Sequence, residues 1–326
     1  MLIFIKLKYN ERSVMPNSIN KFIYCAGFLL SVCLVNNAIA EVVHSERSLY
    51  RNILVEDNGD LRCLKFNVKS NKTRQSCFNK SQPEQLVFNY TKQLLTGLLV
   101  NPEPQRILII GLGGGTMSNT LHKLLPDSYI DNVEIDHSVI KVAREYFGFL
   151  ENEQIKTYSQ DGRVFVKRAV LKKQEYDWII LDAFNGDYIP EHLMTKEFLE
   201  ETKSLLSKKG ILTANTFSSS KLYGYESATY KAVFGDFYQV SNKDNNNRII
   251  LAGKNGLDQN FNRAQEPVSK NGSINKLSIE LLAIGVDAKE LYQNMKSTAI
   301  HQNWSDDNPV LTDQFAPANL LNIDTD

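Results

Sequence analysis

Four strand-like runs of this chain end in groups able to hold or react with a polar ligand. Arg106–Ile110 stops at Gly111-Leu112-Gly113-Gly114-Gly115. Tyr129–Ile135 carries Glu134 and is followed by Asp136. Ile155–Ser159 leads to Asp161-Gly162, and Asp177–Leu181 leads to Asp182. Glycine adopts positive φ without steric cost, and its missing side chain lets a ligand approach the backbone. Amides at the start of a following helix offer the positive end of a dipole to an anion. An acid about 20 residues after a glycine loop suits a pair of ribose hydroxyls, which fits Glu134. Asp161 could accept from an adenine amino group. Asp182 stands where a reacting group would lie, and its carboxylate could take a proton from an attacking amine or hold it by charge. The structural alternatives are also concrete. A lone acid after a strand is commonly a helix cap, which fits Asp161 and, before His137, Asp136.

Elements that would position these residues alternate along the chain. Strands are predicted at Arg106–Ile110, Tyr129–Ile135, Ile155–Ser159, Asp177–Leu181, Ile211–Thr216, Phe237–Val240 and Arg248–Ala252. Helices are predicted at Thr116–Leu125, His137–Phe147, Gly162–Leu171, Thr195–Leu206 and Tyr225–Val233. Ser241 to Asn247 is too short for a helical crossover, so the last two strands must be antiparallel. A parallel βα sheet closed by one antiparallel hairpin is the α/β, Rossmann-like architecture of class I S-adenosylmethionine-dependent enzymes. In such open sheets ligands lie beyond the carboxyl ends of the strands, near the point where strand order reverses.

The chain has 326 residues, 42% hydrophobic, with 37 basic and 37 acidic residues. That balance argues against a nucleic-acid partner. Lys21, the apolar run 22–35 and Ala38-Ile39-Ala40 form the pattern of a secretory signal peptide over residues 1–40. The alternative is a membrane anchor at 22–35, although that run is short for a span of about 20 residues. Without residues 1–40, which carry four basic and one acidic residue, the remaining chain is net −3 and keeps two cysteines, Cys63 and Cys77. A hairpin centred on Lys69-Ser70-Asn71-Lys72 places them opposite each other, and an even pair in an exported protein suggests a disulfide. A β-rich domain is expected over 41–100, with an amphipathic segment from Glu84 to Leu99, and the glycine-loop domain over 101–326. The five histidines lack metal-ligand spacing, so no metal is expected. His192, at a loop-to-helix entry, reads as structural. There is no G-x-S-x-G elbow and no P-loop lysine.

The chain resembles the spermidine synthase (polyamine aminopropyltransferase) family from about Ser48 to Val240. The match rests on the glycine loop, Val133-Glu134-Ile135-Asp136, Asp161-Gly162-Arg163, the run from Tyr176 to Asp182, and His192-Leu193-Met194-Thr195-Lys196-Glu197-Phe198. The resemblance implies an N-terminal β domain ahead of the seven-stranded one. It implies transfer of an aminopropyl group from decarboxylated S-adenosylmethionine to an amine such as putrescine, releasing methylthioadenosine. Gly111, Gly113, Gly115, Glu134, Asp161, Gly162 and Gln75 would face the donor. Asp182, Tyr90 and Asp187 would form the catalytic group. A homodimer is compatible with these readings.

Three positions depart from the family pattern. Its loop reads Gly-Gly-Gly-Asp-Gly, with an acid for the donor's amine where this chain has Gly114. Its second acid after strand four is here Asn185, with Asp187 two residues later, and the acid or amide after the family tyrosine is Thr91. Each lost charge-assisted contact is worth about 1.5–3 kcal/mol. Two further functions therefore stand beside aminopropyl transfer. One is a methyltransferase using intact S-adenosylmethionine, since the missing acid removes repulsion with a methionine carboxylate. The other is a non-catalytic exported nucleoside-binding protein.

Overall fold

The computed structural model describes residues 40–66, 74–184, 188–218, 222–241, 247–256, 275–298, 304–305 and 307–317. The expected leader and the apolar run 22–35 fall outside them. Among the described residues no helix is long and apolar enough to cross a membrane.

A four-stranded antiparallel sheet comes first: β1 (Glu41–Arg47), β2 (Asn52–Asn58), β3 (Leu61–Phe66) and β4 (Arg74–Asn79), in that order. The β3–β4 register sets Cys63 directly opposite Cys77, and the two form a disulfide. Ile53, Val55, Leu64 and Phe66 share a buried cluster with Val139, Val142 and Phe147. The first sheet therefore packs its apolar residues against the helix that follows Asp136.

The second sheet has seven strands: β5 (Arg106–Ile110), β6 (Tyr129–Glu134), β7 (Ile155–Ser159), β8 (Tyr176–Leu181), β9 (Leu206–Phe217), β10 (Tyr238–Ser241) and β11 (Asn247–Gly253), in the order β10-β11-β9-β8-β5-β6-β7. Pairings from β9 to β7 are parallel, whereas β11 is antiparallel to both neighbours. The fold is the Rossmann-like α/β arrangement that the strand pattern predicts. The chain runs outward from β5 to β6 and β7, then crosses back to β8 on the other side of β5. The switch point thus lies at the carboxyl ends of β5 and β8.

Helices cover both faces. α1 (Asn89–Leu94) and α2 (Thr96–Val100) precede β5. Their Leu94, Leu95, Leu98 and Leu99 are 0–1% exposed and pack with Ile107, Trp178 and Ile180. The segment expected as one amphipathic stretch is instead two short helices that meet at Leu95, with Gly97 set against the Trp178 ring. A Cβ at Gly97 would fall 2.5 Å from that ring. α3 (Thr116–Leu124), α4 (His137–Tyr146), α5 (Gly162–Leu171), α6 (Lys196–Ser204) and α7 (Leu222–Phe234) follow the pattern read from the sequence. α6 stops at Ser204 because β9 already pairs at Leu206, opposite Tyr176. A bulge at Ser207 to Gly210, with Lys208 and Lys209 exposed, hides that early start in the sequence. α8 (Lys276–Ala283) and α9 (Ala288–Thr298) were not predicted. With the link between them they add Leu281, Val286, Leu291 and Met295 to the cluster around Trp178.

Disruption of the Cys63–Cys77 bond, which links residues 14 apart, is expected to lower unfolding free energy by about 3 kcal/mol through loop entropy. Urea midpoints of the oxidised protein and of the Cys63→Ala/Cys77→Ala variant measure it. Coincident midpoints would deny the bond any part in stability.

Candidate active site

One cavity of about 760 Å³ opens at the switch point. Gly111, Glu134, Asp161, Asp182 and Asn215 reach it from successive strand ends, and Gln75 and Tyr90 from the first sheet and α1. Ligand sites commonly span about 300–1,000 Å³, so a nucleoside-sized donor and a second small molecule fit in this volume.

The glycine loop is shaped by close backbone approach. Gly111 has φ 101°, and a Cβ on it would lie 2.2 Å from the Asp182 carbonyl oxygen. Gly115, at φ 72°, is the left-handed residue that starts α3, and a Cβ there would fall 2.4 Å from the Phe149 side chain. Gly113, at φ 54°, faces Ser76 of β4.

Glu134 ties this loop to β6. Its Oε2 accepts from the Leu112 amide at 3.1 Å and its Oε1 from the Asp136 amide at 3.0 Å. Burial pushes its carboxyl upward; the two amides and nearby Arg51 oppose that, while Asp136 adds to it. Asp136 caps α4 through Ser138 and also accepts from the Ser48 hydroxyl at 2.5 Å. Arg51 spans the cavity wall beside them. Its guanidinium lies 4.3 Å over the Phe66 ring, and its Nη1 donates to the Phe184 carbonyl at 3.4 Å. Its Nε is 3.8 Å from Asp136.

Asp161 combines both readings made of it. Its Oδ1 accepts from the Val164 amide at 2.9 Å, capping α5, while it also lines the cavity. Its Oδ2 is 2.7 Å from His192 Nε2, and that hydrogen bond leads the effects holding its carboxyl below the ordinary range. His192, read from sequence as structural, is therefore part of the cavity wall.

Asp182 is treated differently from the other acids. Its Oδ1 accepts from Asn215 Nδ2 at 2.8 Å, and Tyr90 hydrogen-bonds the same carboxyl group. Burial pushes this carboxyl up to about 7, against the pull of Asn215 and Tyr90. Burial, then Asp182, raises the Tyr90 phenol well above its ordinary value. The Tyr90 ring stacks on Phe88 at 5.7 Å. Its neighbour Thr91 turns back, donating to the Phe88 carbonyl at 2.7 Å.

The cavity thus gathers Gly111, Gly113, Glu134, Asp161, Gly162, Gln75, Tyr90 and Asp182. Gly115 stands behind the loop at the start of α3, and Asp187 lies outside the described residues, as does Asn185. Arg51, Ser76 and Asn247 line the cavity without having been singled out from sequence, and His192 lines it although it was read as structural. The only signal for Asn215 was its place at a strand end. Among the described residues no cluster of three or more His, Cys, Asp or Glu side chains is disposed to hold a metal ion.

A glycine loop clamped by a strand-two acid, on a seven-stranded sheet with one antiparallel strand, defines a class I α/β fold of the S-adenosylmethionine type. A family model described as spermine/spermidine synthase domain matches residues 88–238. The polyamine aminopropyltransferase of Vibrio vulnificus is 44% identical over 282 residues, 86% of this chain and 91% of that protein. A probable spermidine synthase from Corynebacterium glutamicum superposes with a TM-score of 0.57 at 22% identity, covering 81% of this chain and 98% of that one. The human eEF1A lysine and N-terminal methyltransferase is 32% identical over 146 residues, 40% of this chain and 21% of that protein. The chain belongs to the spermine/spermidine synthase family.

Glu134→Gln leaves one of two backbone amides facing an NH2 group in place of an acceptor. A loss of about 1–3 kcal/mol is expected, with faster hydrogen exchange at the Leu112 or Asp136 amide, read by denaturation and by NMR. Unchanged exchange at both amides would refute the clamp.

Proposed function

We propose that the protein is an aminopropyltransferase, moving the aminopropyl group of decarboxylated S-adenosylmethionine to a small amine. One observation carries the reading: a carboxyl group at the switch point lines the cavity and, among the described groups, is held by the neutral donors Asn215 and Tyr90. Membership of the family and the likeness to a named polyamine aminopropyltransferase support it.

In this reading Glu134 takes the donor's ribose hydroxyls, and the backbone of Gly111 and Gly113 lies against the nucleoside. Asp161 and Gly162 face the adenine, and Gln75 faces the donor's chain. The amine nitrogen attacks the aminopropyl methylene carbon bonded to the sulfonium sulfur. The new C–N bond forms as the C–S bond breaks, and methylthioadenosine leaves with the electron pair on sulfur. Asp182 takes the proton that the amine loses. A base near pH 7 suits that transfer at neutral pH. Tyr90 orients the carboxylate by hydrogen bonding, and Asp187 supplies a second charge for the amine. The Cys63–Cys77 disulfide and the leader pattern favour an exported protein.

A second reading is favoured by two positions. Gly114 stands where the family loop carries an acid, and Arg51 brings a cation to the same cavity. Both suit a donor that keeps its carboxylate, as in a methyltransferase. Calorimetry with the two donors separates the readings. Tighter binding of the decarboxylated form supports aminopropyl transfer, and tighter binding of the intact form supports methyl transfer.

Chromatography of methylthioadenosine after incubation with decarboxylated donor and a panel of amines tests the main reading directly. Its absence with every amine would sink it. Asp182→Asn is expected to lower turnover by about 10²-fold or more. The carboxyl group's folded value, about 7, lies above its ordinary 3.8. Its stabilising contribution is therefore full below about pH 4 and lost as pH rises through about 7. The variant is expected to melt higher than the parent at about pH 8 and alike at about pH 4. The parent's kcat/KM is expected to rise with pH through a midpoint near 7.

A further inference from the structure

Asp182 depends on a side chain that itself needs holding. An ionised carboxylate only accepts hydrogen bonds, whereas an asparagine amide presents either a donor or an acceptor according to which way it is turned. Asn215, 4% exposed on β9, helps Asp182 only with Nδ2 facing it, as at the observed 2.8 Å. Its Oδ1 then points the other way and requires a donor. Asn247 provides one: its Nδ2 lies 2.9 Å from Asn215 Oδ1.

The fold explains how Asn247 reaches this place. It is the first residue of β11 and pairs with Phe217, two residues beyond Asn215 on the same face of β9. Diagonal neighbours of this kind lie within reach of long side chains. Because β11 runs antiparallel, its first residue falls at the carboxyl rim of the parallel strands. The adjacent Arg248 faces the other side, donating to Thr216, Ser227 and Glu226. It fixes the backbone that carries Asn247.

We propose that Asn247 is a positioning residue for the transfer, locking the Asn215 amide with its nitrogen toward Asp182 and so favouring the ionised carboxylate. The inference rests on Asp182 as the proton acceptor. The chain of donors runs one way, from Asn247 to Asn215 to Asp182. Without Asn247 the carboxylate alone holds that orientation, and the flipped amide, whose oxygen can accept from the protonated acid, competes with it. Other groups around Asp182 are accounted for. Tyr90 contacts it from α1, and Glu134, Asp161, His192 and Arg51 line the same cavity. Glu226, paired with Arg248, borders a small hollow on which Asn215 also lies.

The test is a carboxyl-13C NMR titration of Asp182, assigned with Asp182→Asn, together with the pH profile of kcat. Asn247→Leu keeps the branched shape without a donor, and Asn247→Ala serves if the larger side chain perturbs folding. Either is expected to raise the Asp182 midpoint by about one pH unit, a tenfold change in the ionised fraction below it. Asn247→His keeps a nitrogen donor and is expected to bring the midpoint back. In an Asn215→Ala background, removing Asn247 is expected to add no further shift, since the two act through one bond. An unmoved midpoint, or an equal shift in the Asn215→Ala background, would overturn the proposal. If the parent forms no product with any amine, the transfer reading fails while the NMR titration still decides whether Asn247 acts through Asn215.

Discussion

The site depends on how closely the ends of β5 and β8 approach each other. The Asp182 amide donates to the Ile110 carbonyl, and the Gly111 amide to the Val133 carbonyl. Gly111 therefore turns directly under the Asp182 backbone, in space that any side chain would fill. This junction puts the glycine loop and the carboxylate side by side although they are some 70 residues apart in sequence. It also makes the loop's conformation and the acid's position one constraint. A side chain at 111 would displace both, which is why glycine is needed here for space as well as for φ.

Around that junction, three buried or half-buried acids are handled by different means. Glu134 spends both oxygens on backbone amides and becomes part of the loop's scaffold. Asp161 spends one oxygen on a helix start and the other on His192. Among the described residues Asp182 receives a neutral amide and a phenol, so desolvation dominates and its carboxyl rises to about 7. The three acids thus meet three different electrostatic environments, and in the proposed reaction the third is the one that would take a proton. It is also a stability cost carried by the fold, since an ionised carboxylate without a cation disfavours the native state at neutral pH.

Much of this was legible in the chain. Strand-like runs ending in glycine or an acid are local patterns, and β5, β7 and α5 fall on the residues predicted for them. The short link after Ser241 foretold the antiparallel strand. The hairpin around Lys69 to Lys72 foretold the opposition of Cys63 and Cys77. Other parts were hidden for physical reasons. β9 starts early because a bulge with exposed lysines interrupts its apolar pattern. His192 lies in a three-residue turn with no periodicity, and only its proximity to Asp161 gives it meaning. Arg51, Asn215 and Asn247 act through contacts between distant elements, which no spacing in the sequence records.

Gly114 shows how a change of charge can be tied to packing. A Cβ there would meet the Ser76 hydroxyl at 2.8 Å and the Phe147 ring at 2.9 Å. Phe147 belongs to the cluster that binds the first sheet to α4, and Ser76 sits beside Cys77 on β4. A side chain at 114 would require the Ser76 hydroxyl and the Phe147 ring to shift, so the glycine is part of how the first sheet and α4 meet at the loop. The close seating that Gly114 permits also sets Gln75 and Ser76 against the loop and brings the Gln75 carbonyl within 3.5 Å of the Tyr90 hydroxyl. The approach of the first sheet thus sets which groups line this side of the cavity: with no side chain at 114, Gln75, Ser76 and Arg51 stand there.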